Sequence, residues 1–352
     1  MKHKQLNQQR THYCKPRIDR KDSYFIPITA KPHVNQLKPK PPNRPTVLVL
    51  GGYGFIGRHV VTMLECLGAH VLIGTRRQQS SLSSENQRTI ALHKLKQHPD
   101  WRGQLRHVDV VVNAVGILRQ RWGESYEQIH HHAVAELAEA CKQRSIRVVH
   151  VSALGLNNQV KSRFLSSKLL GEQALVKSGA DWHLIRPSLV DGEGGYGAKW
   201  FKRIAKWPVH FMPSNANAMM APIAAGDLAR AIAVIALQKT GQQNNTSIDA
   251  TDRIYELGGT RTLDLRSYIL SLAPAKSTGK RPPVACIKIP ALLARIVSHV
   301  CDVLHLTPFS FGHYELLKHD NLPTNNRLQE LLIKWRRYDR QPLAQNLASL
   351  VN

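Results

Sequence analysis

Short apolar runs rich in Val, Ile and Leu alternate with segments of helical periodicity between about residues 46 and 190. This alternation is typical of βαβ units, and β-branched runs without polar interruption are typical of parallel strands covered on both faces. The predicted strands are Val47–Leu50, His70–Ile73, Thr89–Leu92, Val108–Asn113, Arg147–Ser152 and Trp182–Arg186. The predicted helices between them are Gly57–Leu67, Tyr126–Arg144 and Ser167–Ser178. The pattern therefore predicts an α/β fold with a doubly wound parallel sheet.

After about residue 190 the alternation is less regular. The later predicted elements are a glycine-rich loop at 192–197, a helix at Ala224–Leu237, a strand at Ile254–Leu257 and a helix at Pro290–Leu306. The last helix is apolar around most of its circumference, so a buried helix, a pocket cover, a membrane-surface helix and a partner-binding helix are all open. We predict three regions: a basic, proline-rich disordered extension (1–45), a parallel-sheet domain (46–190) and a smaller lobe that completes the sheet and its pocket (191–352).

The charge balance is strongly positive, with 49 Lys and Arg against 24 Asp and Glu, a formal net charge of +25. Residues 1–44 hold eleven Lys and Arg but two Asp. Such a field attracts nucleic acids, acidic membrane surfaces and phosphorylated cofactors. The aromatic residues of this extension are limited to Tyr13, Tyr24 and Phe25, and it contains no nucleic-acid recognition motif. Nucleic acid is therefore the least favoured partner, whereas a protein complex and a membrane surface stay open.

The sequence also indicates the cellular compartment of the protein and whether it binds a metal. No apolar run is long enough to predict a transmembrane helix, and the N-terminus lacks the apolar centre of a secretory signal. The five cysteines are scattered without a C-x-x-C pair, which favours a reducing compartment. We expect a cytoplasmic protein, with peripheral membrane attachment and organelle targeting as alternatives. No metal is expected, because adjacent positions on a helix point in different directions, so His130, His131 and His132 cannot all converge on one ion.

The first predicted strand runs directly into a glycine cluster that opens a helix. The segment is Gly51-Gly52-Tyr53-Gly54-Phe55-Ile56-Gly57, and it fits both G-x-x-G-x-x-G and G-x-G-x-x-G. In a strand–turn–helix context such glycines permit a tight turn, a close approach to a pyrophosphate and close packing of helix on strand. The phosphates then meet free N–H groups at the positive end of the helix. Gly51, Gly52, Gly54, Phe55, Ile56 and Gly57 are therefore candidate dinucleotide contacts.

The end of the second predicted strand bears on which dinucleotide binds. NAD-specific folds place an acidic residue there for the ribose hydroxyls, whereas this chain has Gly74, followed by Arg76 and Arg77. Arginine grips a 2′-phosphate bidentately and a carboxylate repels it. NADP(H) is the preferred cofactor, and NAD(H) remains open because these arginines also fit a generally basic surface.

Further motifs follow in order along the chain. They are Asn113-Ala114-Val115-Gly116 after a strand, Val151-Ser152-Ala153 at the end of another, Lys168 near the start of a helix and Arg186-Pro187-Ser188 after the next strand. Over roughly residues 46–320 the chain resembles an extended or atypical short-chain dehydrogenase/reductase. It is most similar to the branch that holds the nucleotide-binding accessory subunit of respiratory complex I and related bacterial proteins. The resemblance implies a Rossmann domain at 46–190 whose further cofactor contacts are Asn113, Ala114, Gly116, Lys168 and Pro187.

The resemblance also implies a catalytic set of serine, tyrosine and lysine, with the lysine four residues after the tyrosine. Ser152 and Lys168 match that set, but Phe164 occupies the tyrosine position. Phenylalanine has no exchangeable proton, so the usual proton relay cannot run from this side chain. Ser166, Ser167 and Tyr196 are nearby hydroxyls that could substitute. Two functions follow: a non-catalytic cofactor-binding protein with a structural, assembly or redox-sensing role, or an active NADPH-dependent reductase of a small carbonyl or quinone-like compound.

Overall fold

The computed structural model describes residues 44–76, 86–90, 92, 101–238, 250–273, 284–304 and 311–340. Nearly all of the basic extension predicted for 1–45 lies outside these ranges, and so does Arg77.

Thirteen strands lie in the described part of the chain. They are β1 Thr46–Leu50, β2 His70–Thr75, β3 Gln87–Thr89, β4 Val110–Asn113, β5 Arg147–Val151, β6 Trp182–Pro187, β7 Val190–Asp191, β8 Val209–Pro213, β9 Met219–Met220, β10 Ile223–Ala224, β11 Ile254–Leu257, β12 Leu263–Asp264 and β13 Ala285–Ile289. Seven of them form the main sheet in the order β3-β2-β1-β4-β5-β6-β11, and all six pairings are parallel. The other strands form two-stranded pairs, among them β8 with β13.

The described helices are distributed between the strands. They are α1 Phe55–Cys66, α2 Ala133–Lys142, α3 Arg163–Lys177, α4 Tyr196–Ile204, α5 Ala225–Leu237, α6 Leu265–Ser271, α7 Ala291–Leu304, α8 Phe311–Leu316 and α9 Leu328–Arg340. A π-helical turn, Glu127–His132, leads into α2, and a 3₁₀ turn, Ala250–Arg253, precedes β11. Among the described residues no helix is both long and apolar enough to cross a membrane.

Helices cover both faces of the sheet, as the sequence pattern predicts. Val47 and Val49 of β1 pack in one core cluster with α1, α5 and α9, whereas Leu48 and Leu50 pack in a second cluster with α2 and α3. Alternate residues of one strand thus enter opposite layers, because successive side chains of a strand point to opposite faces. The doubly wound α/β architecture is confirmed. The predicted boundary at 190/191 stays a prediction, but β11 from the C-terminal part does complete the sheet beside β6.

Two predicted boundaries are wrong. The short strand predicted at Thr89–Leu92 lies earlier, as β3, within a polar segment where the apolar pattern carries little information. The helix predicted from Ser167 begins at Arg163, because the Ser162 hydroxyl caps it by accepting the Leu165 N–H at 3.2 Å.

Candidate functional site

The two central strands β1 and β4 meet at the point where the strand order reverses. In doubly wound sheets a ligand binds in the crevice at the carboxyl ends of these strands. Residues 51–57, which we call the glycine turn, follow β1. The segment 114–116, which we call the β4 loop, follows β4, so both motifs lie at this crevice. The Gly51 N–H donates to the Gly74 carbonyl at 3.1 Å, which ties the turn to the end of β2.

Close backbone packing explains the glycines of the turn. Gly51 has φ of +75°, and a Cβ at Gly57 would stand 2.1 Å from the Gly51 carbonyl oxygen. A Cβ at Gly52 would stand 2.8 Å from Cγ2 of Ile73. Helix α1 starts at this turn with Gly54 as its N-cap, with no side-chain cap and no acidic residue in its first turn. Its first amide groups are therefore suited to an anion such as a pyrophosphate.

Phe55 and Ile56, the first two residues of α1, have different surroundings. Ile56 packs against the core cluster that α1 forms with α5 and α9, so its role is largely structural. The Phe55 ring lies against a later loop: a Cβ at Gly195 would be 3.0 Å from its Cε1. Arg58, one turn further on, donates to the Glu193 carbonyl. Residues 192–195 thus pack over the start of α1, a long-range contact that the sequence did not reveal.

The loop after β4 is shaped by Asn113. Its side chain is buried, its Nδ2 lies 3.1 Å from Nδ1 of His150, and its Oδ1 accepts the Val115 N–H at 3.1 Å. Ala114 continues the strand by donating its N–H to the Leu50 carbonyl at 3.1 Å. Asn113 therefore holds the loop beside the glycine turn, where Val115 contacts Gly51.

Gly116 lies opposite Lys168, whose Nζ would be 3.8 Å from a Cβ at Gly116. Burial lowers the pKa of Lys168 to about 8, and the nearby Glu172 carboxylate opposes the shift. Glu172 is itself buried and is bound by Arg186, whose Nη2 lies 2.5 Å from its Oε2. The ammonium group of Lys168, whose pKa is lowered, thus lies beside the β4 loop.

Ser152 directly follows β5 and is buried close to the same edge of the sheet. Its Oγ has no hydrogen-bond partner among the described residues. An unsatisfied buried hydroxyl is costly, so such a group is suited to a ligand oxygen. Pro187 ends β6, and its carbonyl accepts the Leu154 N–H at 3.0 Å, which fixes the chain after Ser152.

Phe164 is enclosed by rings. Its centroid lies 5.5 Å from Tyr126, 5.6 Å from His130 and 5.9 Å from His313, and the Nζ of Lys168 lies 5.9 Å from the same centroid. The Tyr126 hydroxyl donates to the Leu118 carbonyl at 2.9 Å, so it is already engaged. The position four residues before Lys168 is therefore apolar and aromatic, and carries no ionisable proton.

A hydrogen-bonded chain beneath this ring engages Ser167. The Ile117 N–H donates to Nε2 of His130 at 3.1 Å, Nδ1 of His130 lies 3.0 Å from the Ser167 Oγ, and that hydroxyl donates to the Phe164 carbonyl at 3.0 Å. Burial, with Lys168 nearby, lowers the pKa of His130 to about 2, so the imidazole is neutral and donates from Nδ1. Ser167 is consequently occupied as a structural link. The side chain of Tyr196 lies outside the described part.

The three consecutive histidines do not all diverge as expected. His130 turns inward, but His131 and His132 stack at 4.7 Å, and their ligand atoms lie within 4.8 Å of each other and of a Glu127 oxygen. The π-helical turn changes the angular spacing of an ordinary α-helix at these residues. The three histidines thus do not converge on one point, although His131 and His132 lie close together, and the absence of a metal stays a prediction.

Arg76 follows β2 with its side chain 61% exposed. Its Nη1 lies 2.6 Å from Oε1 of Glu124, a residue of the loop between β4 and the π-helical turn. The guanidinium that the sequence assigns to a 2′-phosphate is thus already ion-paired with the Glu124 carboxylate.

A family model described as NAD(P)H-binding matches residues 51–203, the segment that contains the glycine turn, Ser152 and Lys168. Residues 51–203 thus carry an NAD(P)H-binding domain, and the chain resembles the atypical short-chain dehydrogenase/reductases. It is 26% identical over 220 residues to "NADH dehydrogenase [ubiquinone] 1 alpha subcomplex subunit 9, mitochondrial" of Arabidopsis thaliana, covering 60% of this chain and 53% of that protein. The protein of the same name from Dictyostelium discoideum is 26% identical over 215 residues, 59% of each chain. The chain thus spans little more than half the length of these relatives.

The structural neighbours agree on the fold. The solved structure of MoeE5 in complex with UDP-glucuronic acid and NAD superposes with a TM-score of 0.54 at 19% identity, covering 83% of this chain and 99% of MoeE5. At this identity the likeness concerns the fold alone. The resemblance to the complex I accessory subunit, expected from the motifs, is confirmed by the relatives.

Proposed function

We propose that this protein holds NADP(H) without turning it over, as a structural, assembly or redox-sensing component. The observation that carries the proposal is the environment of Phe164. The proton donor of the family pattern is missing there, and the ring is packed against Tyr126, His130 and His313. Of the replacement hydroxyls, Ser167 is bound to His130 and to the Phe164 carbonyl. Ser166 is half-buried on α3, and an unassisted serine hydroxyl is a poor acid.

The same residues fit a dinucleotide. Gly51 and Gly57 approach so closely that a side chain on Gly57 would occupy the space of the Gly51 backbone. The amide groups at the start of α1 would hold the pyrophosphate, and the Lys168 ammonium would hold ribose hydroxyls. A bound nicotinamide supplies hydride chemistry to this family. Holding the ribose does not require a phenol at position 164, so binding can persist where proton transfer is lost.

The preference for NADP(H) rests on Arg76 and on the absence of an acidic residue at the end of β2. Gly74 leaves no room for one, because its Cβ would stand 2.7 Å from Cδ2 of Leu50. The Arg76 side chain is largely exposed, whereas the Glu124 side chain that pairs with it is only 12% exposed. A 2′-phosphate with two charges would compete with Glu124 for the exposed guanidinium, which can bind a phosphate bidentately. NAD(H) stays the alternative cofactor.

A role within a protein complex is supported by the relatives, whose names describe subunits of NADH dehydrogenase [ubiquinone]. Their names also place those proteins in mitochondria, so the cytoplasmic site expected from the sequence and an organelle remain two outcomes of a localisation experiment.

One observation favours the alternative, an active NADPH-dependent reductase of a small carbonyl or quinone-like compound. The buried Ser152 hydroxyl has no partner among the described residues and could orient a substrate oxygen. The test is to incubate the protein with NADPH and a panel of small aldehydes, ketones and quinones while following the absorbance of the reduced nicotinamide. The proposal expects no consumption above that of a Ser152→Ala control. Consumption that requires Ser152 would replace it with the reductase.

A further inference from the structure

Helix α7 presents its large apolar side chains to solvent and its small ones to the protein. Ala294 and Ser298 are buried, whereas five aliphatic side chains are between 42% and 71% exposed. These five, which we call the α7 apolar face, are Leu292, Leu293, Ile296, Val297 and Val300. At 3.6 residues per turn they lie within an arc of about 140°. A surface helix ordinarily turns such an arc toward the core, so its exposure marks an interaction surface.

The exposed apolar surface continues into the strands that precede α7. Phe211 of β8 and Ile287 of β13 are register partners, and both are about half exposed. Trp207, just before β8, is 48% exposed. Since β13 leads through Pro290 directly into α7, the exposed Ile287 and the α7 apolar face belong to one continuous stretch of chain.

The chain segments that carry this apolar surface are rich in cations and poor in acidic residues. Neither 196–213 nor 284–301 contains an Asp or Glu; the next acidic residue, Asp302, has its side chain outside the described part. Four exposed cations lie on or just after α4: Lys199, Lys202, Arg203 and Lys206.

Beside the α7 apolar face, Arg295 of the same helix lines a cavity of about 600 Å³ together with Lys161 and Lys318. Glu315 also lines it, but its carboxylate accepts the backbone N–H groups of Lys161 and Ser162 at 2.7 and 2.9 Å. The cations of the cavity are therefore suited to an anionic group at the edge of the apolar face.

We propose that the α7 apolar face is a docking surface for an anionic lipid bilayer. Aliphatic side chains with cations nearby, here Arg295, Lys161 and Lys318, are the composition of helices that lie in the headgroup region of such a membrane. With 14 residues, α7 is about 21 Å long, shorter than the roughly 30 Å hydrocarbon core, so it lies in the interface and does not cross it. A second copy is a poorer occupant, because a two-fold contact would bring the cations of the two chains together.

The first test is co-sedimentation of the full chain with vesicles of phosphatidylglycerol and phosphatidylcholine, and with phosphatidylcholine alone. The wild type should bind the anionic vesicles, and Ile296→Glu should weaken this binding about tenfold or more, because it removes apolar insertion and adds a repelled charge. The matched control is Ile333→Glu on α9, where Ile333 is 49% exposed against 51% for Ile296. All variants keep the basic extension, so any attraction between this extension and the vesicles is the same in each variant and cancels when the variants are compared.

The second test reports insertion directly. Ile296→Trp should give strong quenching of its added fluorescence by lipids brominated in their acyl chains, whereas Ile333→Trp should not. Equal vesicle binding by Ile296→Glu and Ile333→Glu, or no added quenching for Ile296→Trp, would overturn the proposal. The proposal is also overturned if Ile296→Glu leaves vesicle binding intact but halves the mass of the protein in solution. That result would assign the α7 apolar face to contact with a second copy of the chain.

Discussion

The Nζ of Lys168 lies 5.9 Å from the centroid of the Phe164 ring, at the point where the short-chain dehydrogenase/reductase pattern has a phenol. The lysine that would lower the pKa of that phenol is therefore present without its partner. Lys168 also faces Gly116 of the β4 loop, which the resemblance places along the cofactor. This arrangement supports a cofactor site that has kept its cation and lost its acid.

Phe164→Tyr should restore a proton donor beside Lys168. If Ser152 and the pocket are otherwise intact, reduction of a small carbonyl by NADPH should rise about a hundredfold or more over wild type, the usual contribution of a general acid. Phe164→Leu, which adds no hydroxyl, is the control and should stay inactive. Unchanged activity in the tyrosine variant, with NADPH still bound, would count against an otherwise intact catalytic site.

Lys168→Met should stabilise the protein without cofactor at neutral pH. The pKa of Lys168 falls from 10.5 to about 8 on folding, so between these values the unfolded chain binds a proton that the folded chain lacks. Stability therefore rises with pH across this window, and the full cost of the buried ammonium is present below about pH 8. Its removal should add on the order of 3 kcal/mol at pH 7, and the gain should vanish above pH 10.5.

Chemical denaturation at several pH values measures this effect, with Lys177→Met, an exposed position on the same helix, as control. A destabilised Lys168→Met at pH 7 would contradict the conclusion that desolvation penalises the Lys168 ammonium in the folded chain. The same variant should bind NADPH more weakly, which a purely structural lysine would not require.

Arg76→Glu should change the cofactor preference. Loss of a charge-assisted pair with the 2′-phosphate should weaken NADPH binding about tenfold or more and leave NADH binding unchanged or stronger. Arg144→Glu, an exposed arginine after α2, is the matched charge control. An unaltered ratio of the two dissociation constants in Arg76→Glu would refute the role of Arg76.

Gly57→Ala should abolish dinucleotide binding and destabilise the protein by about 2 kcal/mol or more, because the new Cβ would stand 2.1 Å from a backbone oxygen. Gly197→Ala on α4 is the control, since a Cβ there meets nothing within 4 Å. That control should gain about 0.5–1 kcal/mol from helix propensity. Equal effects of the two substitutions on dinucleotide binding and on the free energy of unfolding would contradict the role of the glycine turn in binding the dinucleotide.

The sequence predicted the features that depend on local pattern. The strands around Val47–Leu50 and Val108–Asn113 and the glycine turn between β1 and α1 are encoded by neighbouring residues, and the structure has them in place. The packing of Phe55 against Gly195 and the pairing of Arg76 with Glu124 join residues far apart in the chain, which periodicity cannot report. The apolar character of α7 was visible in the sequence, but which side faces solvent depends on the tertiary contacts of Ala294 and Ser298.

The most direct test of the central claim is a calorimetric titration of the full chain with NADPH and, in parallel, with NADH. We expect saturable binding of one NADPH per chain, with a lower dissociation constant than for NADH. No saturable binding of either dinucleotide would contradict it, and tighter binding of NADH would contradict the assignment of the 2′-phosphate site.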